Sequence, residues 1–242
     1  MSESTESTVN TPPEGELCAL SARGLCKHYD GPAGPVHVLN GVDLDVPRGT
    51  LLAITGASGA GKTTLLNILG ALDHASSGEV QIGPLRVDSL GERERCRLRA
   101  ERLGFVFQFH HLLPEFTAEE NVMMPLRIAG RTVEESRARA REVLDAVGLG
   151  ARLGHVPAEL SGGEAQRVAV ARALACSPEL VLADEPSGNL DSATAQELHE
   201  LLASLARNRH QTFVVATHND KLAALADRVL RLEAGRLVPV RE

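Results

Sequence analysis

A glycine-rich loop carries the first recognisable chemistry in this sequence. It matches the pattern G-x-x-x-x-G-K-[ST] and reads Gly56-Ala57-Ser58-Gly59-Ala60-Gly61-Lys62-Thr63. Glycines let backbone N–H groups turn towards a phosphate, the lysine adds a cation, and the threonine hydroxyl can bind Mg²⁺. A chance glycine-rich turn is the alternative, but a strand is predicted at 51–55 and a helix at 62–72. That setting favours a phosphate-binding loop, with Thr64 as the last residue of the predicted site.

Two adjacent acids follow a second apolar run, the predicted strand 180–183. Asp184 is placed at the strand end to hold Mg²⁺ through water. Glu185, one residue further into the loop, is a candidate general base that polarises the attacking water. Alone, two acids are more simply explained as a solvated loop. Beside a phosphate-binding loop they become candidates for metal binding and proton transfer.

Alternating strands and helices surround these motifs. Apolar patterns predict strands at 17–22, 36–46, 51–55, 180–183 and 212–216, and helices at 62–72, 132–147, 164–176 and around 198–205. Thr132 with Glu135, and Ser161 with Glu164, have capping-box spacing. The arginine-rich segment 92–102 is interpreted as a solvated helix face. The alternation favours an α/β fold with a largely parallel sheet and ligands at the carboxyl ends of its strands.

Composition limits the kinds of partner. The net charge of −7 argues against a nucleic-acid-binding protein, which normally has a basic surplus. The four cysteines are scattered without metal-ligand spacing, which suits a reducing cytosol. Residues 1–16 are rich in Ser, Thr, Glu and Pro, and we expect a disordered tail there. Because no run approaches ~20 apolar residues, a membrane role would need a partner that supplies the spans.

A third motif reads Leu160-Ser161-Gly162-Gly163-Glu164 and is followed by Ala165-Gln166-Arg167. It resembles the signature of the ABC transporter ATPases. The same residues also satisfy an ordinary helix N-cap, so the motif is informative only in combination with the others. The remaining positions of that family occur in its order along the chain: Tyr29, Gln108, Ser187-Gly188-Asn189-Leu190-Asp191 and His218.

This resemblance implies a fold, a reaction and an assembly. The fold is a P-loop NTPase with a RecA-like core, an antiparallel β subdomain and an α-helical subdomain at about 105–177, within one nucleotide-binding domain at 17–242. The activity is hydrolysis of ATP with Mg²⁺ in a homodimer. By resemblance, Tyr29 stacks on adenine, Gln108 senses Mg²⁺ and the γ-phosphate, and His218 contacts the γ-phosphate. Opposite the nucleotide, a second copy presents Ser161, Gly162, Gly163 and Glu164.

The segment 105–117 resembles, more narrowly, the LolD family of bacterial lipoprotein-releasing ATPases, as do 121–122 and 124–126. That resemblance implies two transmembrane permease subunits of LolC/LolE type and a peripheral place on the cytoplasmic face of the inner membrane. Macrolide-exporter and cell-division ATPases are the competing relatives. Departures from the family pattern are Ala57, Ala60, Glu119, Ser187 and Asn219. Glu119 affects the substrate assignment most, because it lies in the partner-facing segment.

A soluble ABC ATPase of DNA repair or of ribosomes is a function of a different class. The stretch between Lys62 and Ser161 is too short for the coiled-coil insertion of repair proteins, and the chain has one cassette, not two. A division-complex scaffold that regulates cell-wall hydrolases is another alternative. The apolar side chains of 109–117 are expected to contact a membrane partner, although they could instead fill the chain's own helical subdomain.

Overall fold

Two β-sheets and a group of helices make up the part of the chain that the computed structural model describes, residues 18–32 and 34–240. The predicted tail at 1–16 lies outside these residues. The strands are β1 Cys18–Gly31, β2 Gly34–Pro47, β3 Leu51–Thr55, β4 Ser77–Ile82, β5 Leu85–Arg86, β6 Leu103–Phe107, β7 Leu180–Asp184, β8 Phe213–Ala216, β9 Arg228–Glu233 and β10 Arg236–Pro239. The α-helices are α1 Lys62–Leu69, α2 Glu92–Arg102, α3 Ala118–Ile128, α4 Val133–Ala146, α5 Gly162–Leu174, α6 Ser192–Arg209 and α7 Asp220–Leu225.

The larger sheet has the strand order β10-β9-β3-β8-β7-β6. Its strands are parallel except β10, which pairs antiparallel with β9. Ala216 of β8 is in register with Ile54 of β3 on one side and with Asp184 of β7 on the other. The loops that follow these three strands therefore leave the sheet at one edge, as the alternating pattern predicts.

The smaller sheet is antiparallel, with the order β2-β1-β4-β5. Its inner face shares an apolar cluster with α1 and the larger sheet, in which Leu25, Leu65 and Ile54 are all buried. Burial of such side chains stabilises the contact between the two sheets, with α1 between them. Through this packing, the helix that follows the glycine-rich loop is held against both sheets.

Helices α3, α4 and α5 share a second apolar cluster with α6 and the larger sheet. Val122, Leu144 and Val168, one from each of the first three helices, are fully buried in it. The predicted capping boxes are confirmed, since Thr132 caps α4 with Glu135 and Ser161 caps α5 with Glu164. The resulting arrangement confirms the expected α/β fold with a largely parallel sheet.

Several local predictions are wrong. The helix predicted at 62–72 ends at Leu69, after which Gly70 and Ala71 turn the chain, with Ala71 at φ 55°. The segment 92–102 is helical and mostly exposed, as predicted, but Arg95 is buried and its Nη2 donates to the Asp73 carbonyl at 3.0 Å. Strand β4 is not among the predicted strands. A hydrogen bond to a distant segment overrides the local pattern at Arg95, and pairing with β1 does so at β4.

Within the described residues, no helix is both long enough and apolar enough to cross a bilayer.

Candidate nucleotide-binding and hydrolysis site

The glycine-rich loop connects the end of β3 to the start of α1, and two of its glycines are required by close approach. A Cβ on Gly56, at φ 150°, would lie 2.7 Å from the Leu232 carbonyl oxygen. A Cβ on Gly61, at φ 101°, would lie 2.7 Å from Val38 Cγ1. Larger residues at these positions would push the loop away from β9 and β2. The two glycines thus place the loop directly against both sheets.

Lys62 is buried at the first position of α1. Its Nζ donates to the carbonyl oxygens of Gly56 at 2.9 Å and Ala57 at 3.3 Å. The same atom lies 3.8 Å from Glu185 Oε1. The ammonium group therefore holds the loop from inside and faces Glu185, the residue after β7.

Thr63 and Asp184 meet across the edge of the larger sheet. The Thr63 Oγ1 hydroxyl donates to Asp184 Oδ2 at 2.7 Å. Burial raises the pKa of Asp184, while the hydrogen bond from Thr63 acts in the opposite direction. A hydroxyl and a carboxylate are hard oxygen ligands of the kind that Mg²⁺ binds, together with substrate phosphates and water. The described residues hold no group of three or more His, Cys, Asp or Glu side chains that could bind a metal alone.

Glu185 follows β7 in a left-handed backbone conformation, with φ 47°. Its N–H donates to the Ala216 carbonyl at 2.9 Å, which ties the residue to the end of β8. Its Oε1 lies 2.8 Å from His218 Nδ1, and its Oε2 accepts from the His218 N–H at 3.3 Å. A non-glycine residue in this conformation is strained and is common at functional sites. The fold holds this carboxylate beside an exposed imidazole.

Gln108 follows β6, and its side chain lies against the loop after Glu185. Its Nε2 donates to Asn189 Oδ1 at 3.0 Å, and Asn189 Nδ2 donates to the Gln108 carbonyl at 3.2 Å. A Cβ on Gly188 would lie 3.0 Å from the Gln108 amide nitrogen. The described hydrogen bonds of Gln108 thus connect it to the Asn189 loop and not to Thr63 or Asp184. Sequence reasoning missed this role of Asn189.

Tyr29 lies near the end of β1 and is exposed. Its hydroxyl donates to Asp73 Oδ2 at 3.0 Å, and Lys27 Nζ lies 4.7 Å from the centre of its ring. Lys27 also donates to Asp73 Oδ1 at 2.9 Å. The Asp73 carboxylate therefore fixes the hydroxyl end of the ring, and the Lys27 ammonium lies over the ring. Neither contact was predicted from the sequence.

Ser161 caps α5, where its Oγ accepts from the Glu164 N–H at 3.2 Å. Glu164 bonds back to the Ser161 N–H and accepts from Arg152 Nε at 2.7 Å. The hydrogen bond from Arg152, followed by those from Ser161, lowers the pKa of Glu164 to about 2. Ser161 and Gly162 are exposed, whereas a Cβ on the buried Gly163 would overlap Thr194 Cγ2. A helix start with exposed N–H groups can bind an anion.

The family follows from comparison with known sequences. The ABC transporter family model matches residues 39–188, more than half of the chain. This chain belongs to the ABC transporter family. It is 53% identical to the "Lipoprotein-releasing system ATP-binding protein LolD" of Geobacter metallireducens, over 90% of this chain and 97% of that protein. It is 52% identical to the Pseudomonas fluorescens protein of the same description, over 93% and 99%. Within the ABC transporters, the chain therefore belongs to the LolD family.

Solved structures of ABC cassettes have the same fold. The ATP-binding cassette MJ0796, described as a dimer in a post-hydrolysis state bound to ADP and Pi, superimposes with a TM-score of 0.82. It is 37% identical in sequence and matches over 92% of this chain and 99% of its own length. The family resemblance inferred from the motifs is thereby confirmed at the levels of sequence and fold.

The LolD-like segment after Gln108 divides into an inner and an outer part. Leu112 belongs to the apolar cluster of the helices, so its expected place in a docking surface is wrong. Phe109 is 64% exposed, and Leu113 and Phe116 are also exposed. The buried Asn121 of α3 fixes the loop, since its Nδ2 donates to the Leu113 and Phe116 carbonyls and its Oδ1 accepts from the Leu113 N–H. An asparagine directly before the apolar run that begins at Val122 was the available signal for this role.

Glu119 departs from the family pattern and for that reason weakened the substrate assignment. Its side chain contacts residues of this same chain. Its carboxylate lies 2.6 Å from Arg141 Nε and 3.3 Å from Arg137 Nε, both on α4. Its side chain is largely shielded from solvent. The residue therefore ties α3 to α4 and is directed into the chain's own helices.

Proposed function

We propose that this chain is the ATP-binding and ATP-hydrolysing subunit of an ABC transporter that releases lipoproteins from the inner membrane toward the outer membrane. One observation carries the hydrolytic part: Lys62, Thr63, Asp184, Glu185 and His218 converge where β3, β7 and β8 end. The lipoprotein part is supported by identities of 50% or more to LolD proteins over nearly the whole chain.

In the proposed site, the phosphates of ATP lie along 56–64. Backbone N–H groups of the loop and the start of α1 donate to phosphate oxygens, and Lys62 exchanges its carbonyl partners for them. Thr63, Asp184 and Gln108 would hold Mg²⁺, directly or through water. When bound, Mg²⁺ would neutralise negative charge on the phosphate oxygens. Tyr29 offers its ring to adenine.

Glu185 is the proposed general base. It accepts the proton of the attacking water, and the His218 imidazole keeps the carboxylate oriented at 2.8 Å. Its strained backbone and its hydrogen bond to Ala216 hold the acid at the sheet edge in advance of the reaction.

The assembled form is proposed to be a head-to-tail homodimer. Each nucleotide lies between the phosphate loop of one copy and the start of α5 in the other. Ser161 and Gly162 are exposed and present a helix N-terminus to an anion, while Gly163 packs against the start of α6 and Glu164 closes the cap. The dimeric description of the similar MJ0796 cassette supports this arrangement.

Two LolC/LolE-like permease subunits are the proposed membrane partners, which places this chain peripherally on the cytoplasmic face. The proposed contact lies on a helical subdomain at about 105–177, within a cassette at 17–242. There, a groove of about 300 Å³ runs beside α3 and is lined partly by Phe105, Leu113, Met124, Pro125 and Ile128. Phe109 and Phe116 are exposed in the same loop as Leu113. Exposed apolar side chains at a groove are typical anchors of a protein interface.

The docking test introduces a charge into this surface. Leu113→Glu and Phe116→Glu are compared with Val238→Glu, a change on β10 at a residue of matching exposure (39%, 37% and 38%). We expect the first two variants to lose co-purification with the permease subunits while the isolated chains keep their basal ATPase activity. Val238→Glu should keep both. An unaffected complex for the two groove variants would contradict the proposed contact.

The cargo test uses the complete complex in proteoliposomes. Addition of ATP should release an acylated lipoprotein to a soluble acceptor, and Glu185→Gln should abolish that release. Export of a soluble drug instead would assign the chain to the macrolide-exporter relatives. Co-purification with cell-wall hydrolase regulators, without transport, would assign it to the cell-division relatives.

A further inference from the structure

A buried histidine lies directly beneath the loop that carries Glu185. His199, on the second turn of α6, is 0% exposed. Its Nε2 lies 2.8 Å from the Oγ of Ser187, which is also buried. Its Nδ1 is buried and has no hydrogen-bond partner among the described residues. The imidazole is thus tied to one hydroxyl and otherwise surrounded by the interior of the protein.

The buried imidazole of His199 does not favour the stability of the folded protein. Whichever tautomer is present, one ring nitrogen is left as a buried donor or acceptor without a partner. Leaving such a group unpaired costs more free energy than replacing the ring by an apolar side chain of similar size. Burial and the charge of Lys221 lower the pKa of His199, so that the ring is neutral near pH 7. The Ser187 hydroxyl is the one polar group among the described residues that it contacts by hydrogen bonding.

Ser187 occupies the middle of the loop 185–191, between residues already placed in the site. The loop is anchored at its start, where the Glu185 N–H donates to the Ala216 carbonyl, and at its end, where Asp191 caps α6. Inside the loop, the Gly188 N–H donates to the Glu185 carbonyl at 3.0 Å. The His199–Ser187 contact is therefore the side-chain tie that joins the middle of the loop to the helix below.

We propose that His199 is a positioning residue that fixes the loop 185–191 through Ser187 and so sets the orientation of Glu185 for hydrolysis. The same loop carries Asn189, which bonds Gln108. The contact between His199 and Ser187 therefore also affects how the segment after β6 packs against the loop. The inference rests on the proposed role of Glu185 as general base. It adds that the orientation of this base depends on a residue fourteen positions later, which has no contact with substrate.

The test compares His199→Leu, which removes the tie, with His199→Gln, whose amide can still reach the Ser187 hydroxyl. Leu202→Val, a change in the apolar cluster on the same helix, is the control for altered packing. We expect His199→Leu to lower kcat by about tenfold, because a small displacement of a reacting group has large effects on rate. The KM for ATP and the Kd for a fluorescent ATP analogue should stay within about twofold. His199→Gln should recover at least about half of the lost rate, and His199→Leu should melt no lower than Leu202→Val.

Ser187→Ala provides a second variant that keeps the helix intact. It should lower kcat to the same extent, and combining it with His199→Leu should add little, because both changes remove one contact. Unchanged kcat in Ser187→Ala or His199→Leu would overturn the inference. It would also be overturned if the decrease in kcat were equal to the fraction of the variant that is unfolded. Glu185→Gln in the same assay separates the two proposals. If it is inactive while His199→Leu is fully active, only the positioning role fails; if it remains active, the assignment of the base fails as well.

Discussion

The phosphate-loop side and the signature side of this molecule differ in what their side chains contact. On the phosphate-loop side, residues from separate segments bond to one another: Thr63 to Asp184, Lys62 to Glu185, and Glu185 to His218. On the signature side, the polar contacts of Ser161 and Glu164 are with residues close by in the chain, because Ser161 bonds Glu164 and Glu164 bonds Arg152. The first side is a set of convergent groups, and the second is a locally capped helix start.

This difference separates two kinds of task. Convergent acids, a lysine and an imidazole can bind phosphates and transfer a proton within one chain. A capped helix start can bind an anion, but its acid, Glu164, is held in the cap by Ser161 and Arg152. Damage on the phosphate-loop side should therefore affect hydrolysis, nucleotide binding or both, whereas damage on the signature side should leave nucleotide binding by a single copy intact.

The largest effect is expected for Glu185→Gln. Removal of the general base should lower kcat by at least about 10²-fold, within the range for such groups. Binding of a fluorescent ATP analogue should be retained, because Lys62 and the loop are unchanged. Steady-state phosphate release and equilibrium titration measure the two quantities. Substantial hydrolysis by this variant would place the base elsewhere and remove the main distinction between the two sides.

The pair of variants Lys62→Ala and Ser161→Arg tests most directly whether the phosphate-loop side and the signature side have separate tasks. The first change should weaken nucleotide binding and stop hydrolysis, because it removes the cation from the β- and γ-phosphates. The second should stop hydrolysis while the analogue still binds, since it blocks only closure against the other copy. Equal loss of binding in both variants would contradict the separation.

A smaller effect is expected at the metal ligands. Thr63→Val removes the hydroxyl that donates to Asp184 at 2.7 Å and should raise the Mg²⁺ concentration needed for half-maximal ATPase by about tenfold. Thr64→Val, its neighbour on α1, is the matched control and should have a weaker effect. The measurement is a Mg²⁺ titration at saturating ATP. If both variants respond alike, Thr63 has no special part in binding the metal.

The smallest effect is expected in the cap of the signature helix. The pKa of Glu164 is lowered from 4.5 to about 2, mainly by Arg152, so its folded-state pKa lies below its unfolded value. Its stabilising contribution is therefore fully present above about pH 4.5 and is lost as the pH falls toward 2. Glu164→Gln should lower the free energy of unfolding by less than about 1 kcal/mol at pH 7, because the pair is partly exposed. Urea unfolding should show that the difference in free energy of unfolding between the variant and the wild type is smaller at pH 3 than at pH 7. A difference that stays constant would show that it does not come from the ionised Glu164 carboxylate.

Sequence alone predicted the parts of the site that depend on consecutive residues. The glycine-rich loop between β3 and α1, the acids after β7 and the cap at Ser161 are each set by local backbone chemistry, and all lie where the pattern places them. The parallel sheet followed from the alternation of apolar strands and helices. Local periodicity therefore predicted which strand ends would carry the site.

Contacts between distant polar groups were not predicted. Gln108 with Asn189, Tyr29 with Asp73, and Glu119 with Arg141 all join separate elements. Apolar periodicity shows which face of an element is buried, but it does not show which polar side chains face each other across two elements. The left-handed backbone of Glu185 is a further example, because nothing local to an acid before Pro186 indicates a positive φ. The finer geometry of the site thus depends on tertiary packing.

We propose that each complete site uses the phosphate loop of one copy and the signature of another. Light scattering of Glu185→Gln with saturating Mg-ATP tests it, because the nucleotide is bound but not hydrolysed. We expect twice the 25.8 kDa mass of one chain, and a return to the single mass when Ser161→Arg is added to the same variant. A single-chain mass for Glu185→Gln with nucleotide bound would contradict a site shared by two copies.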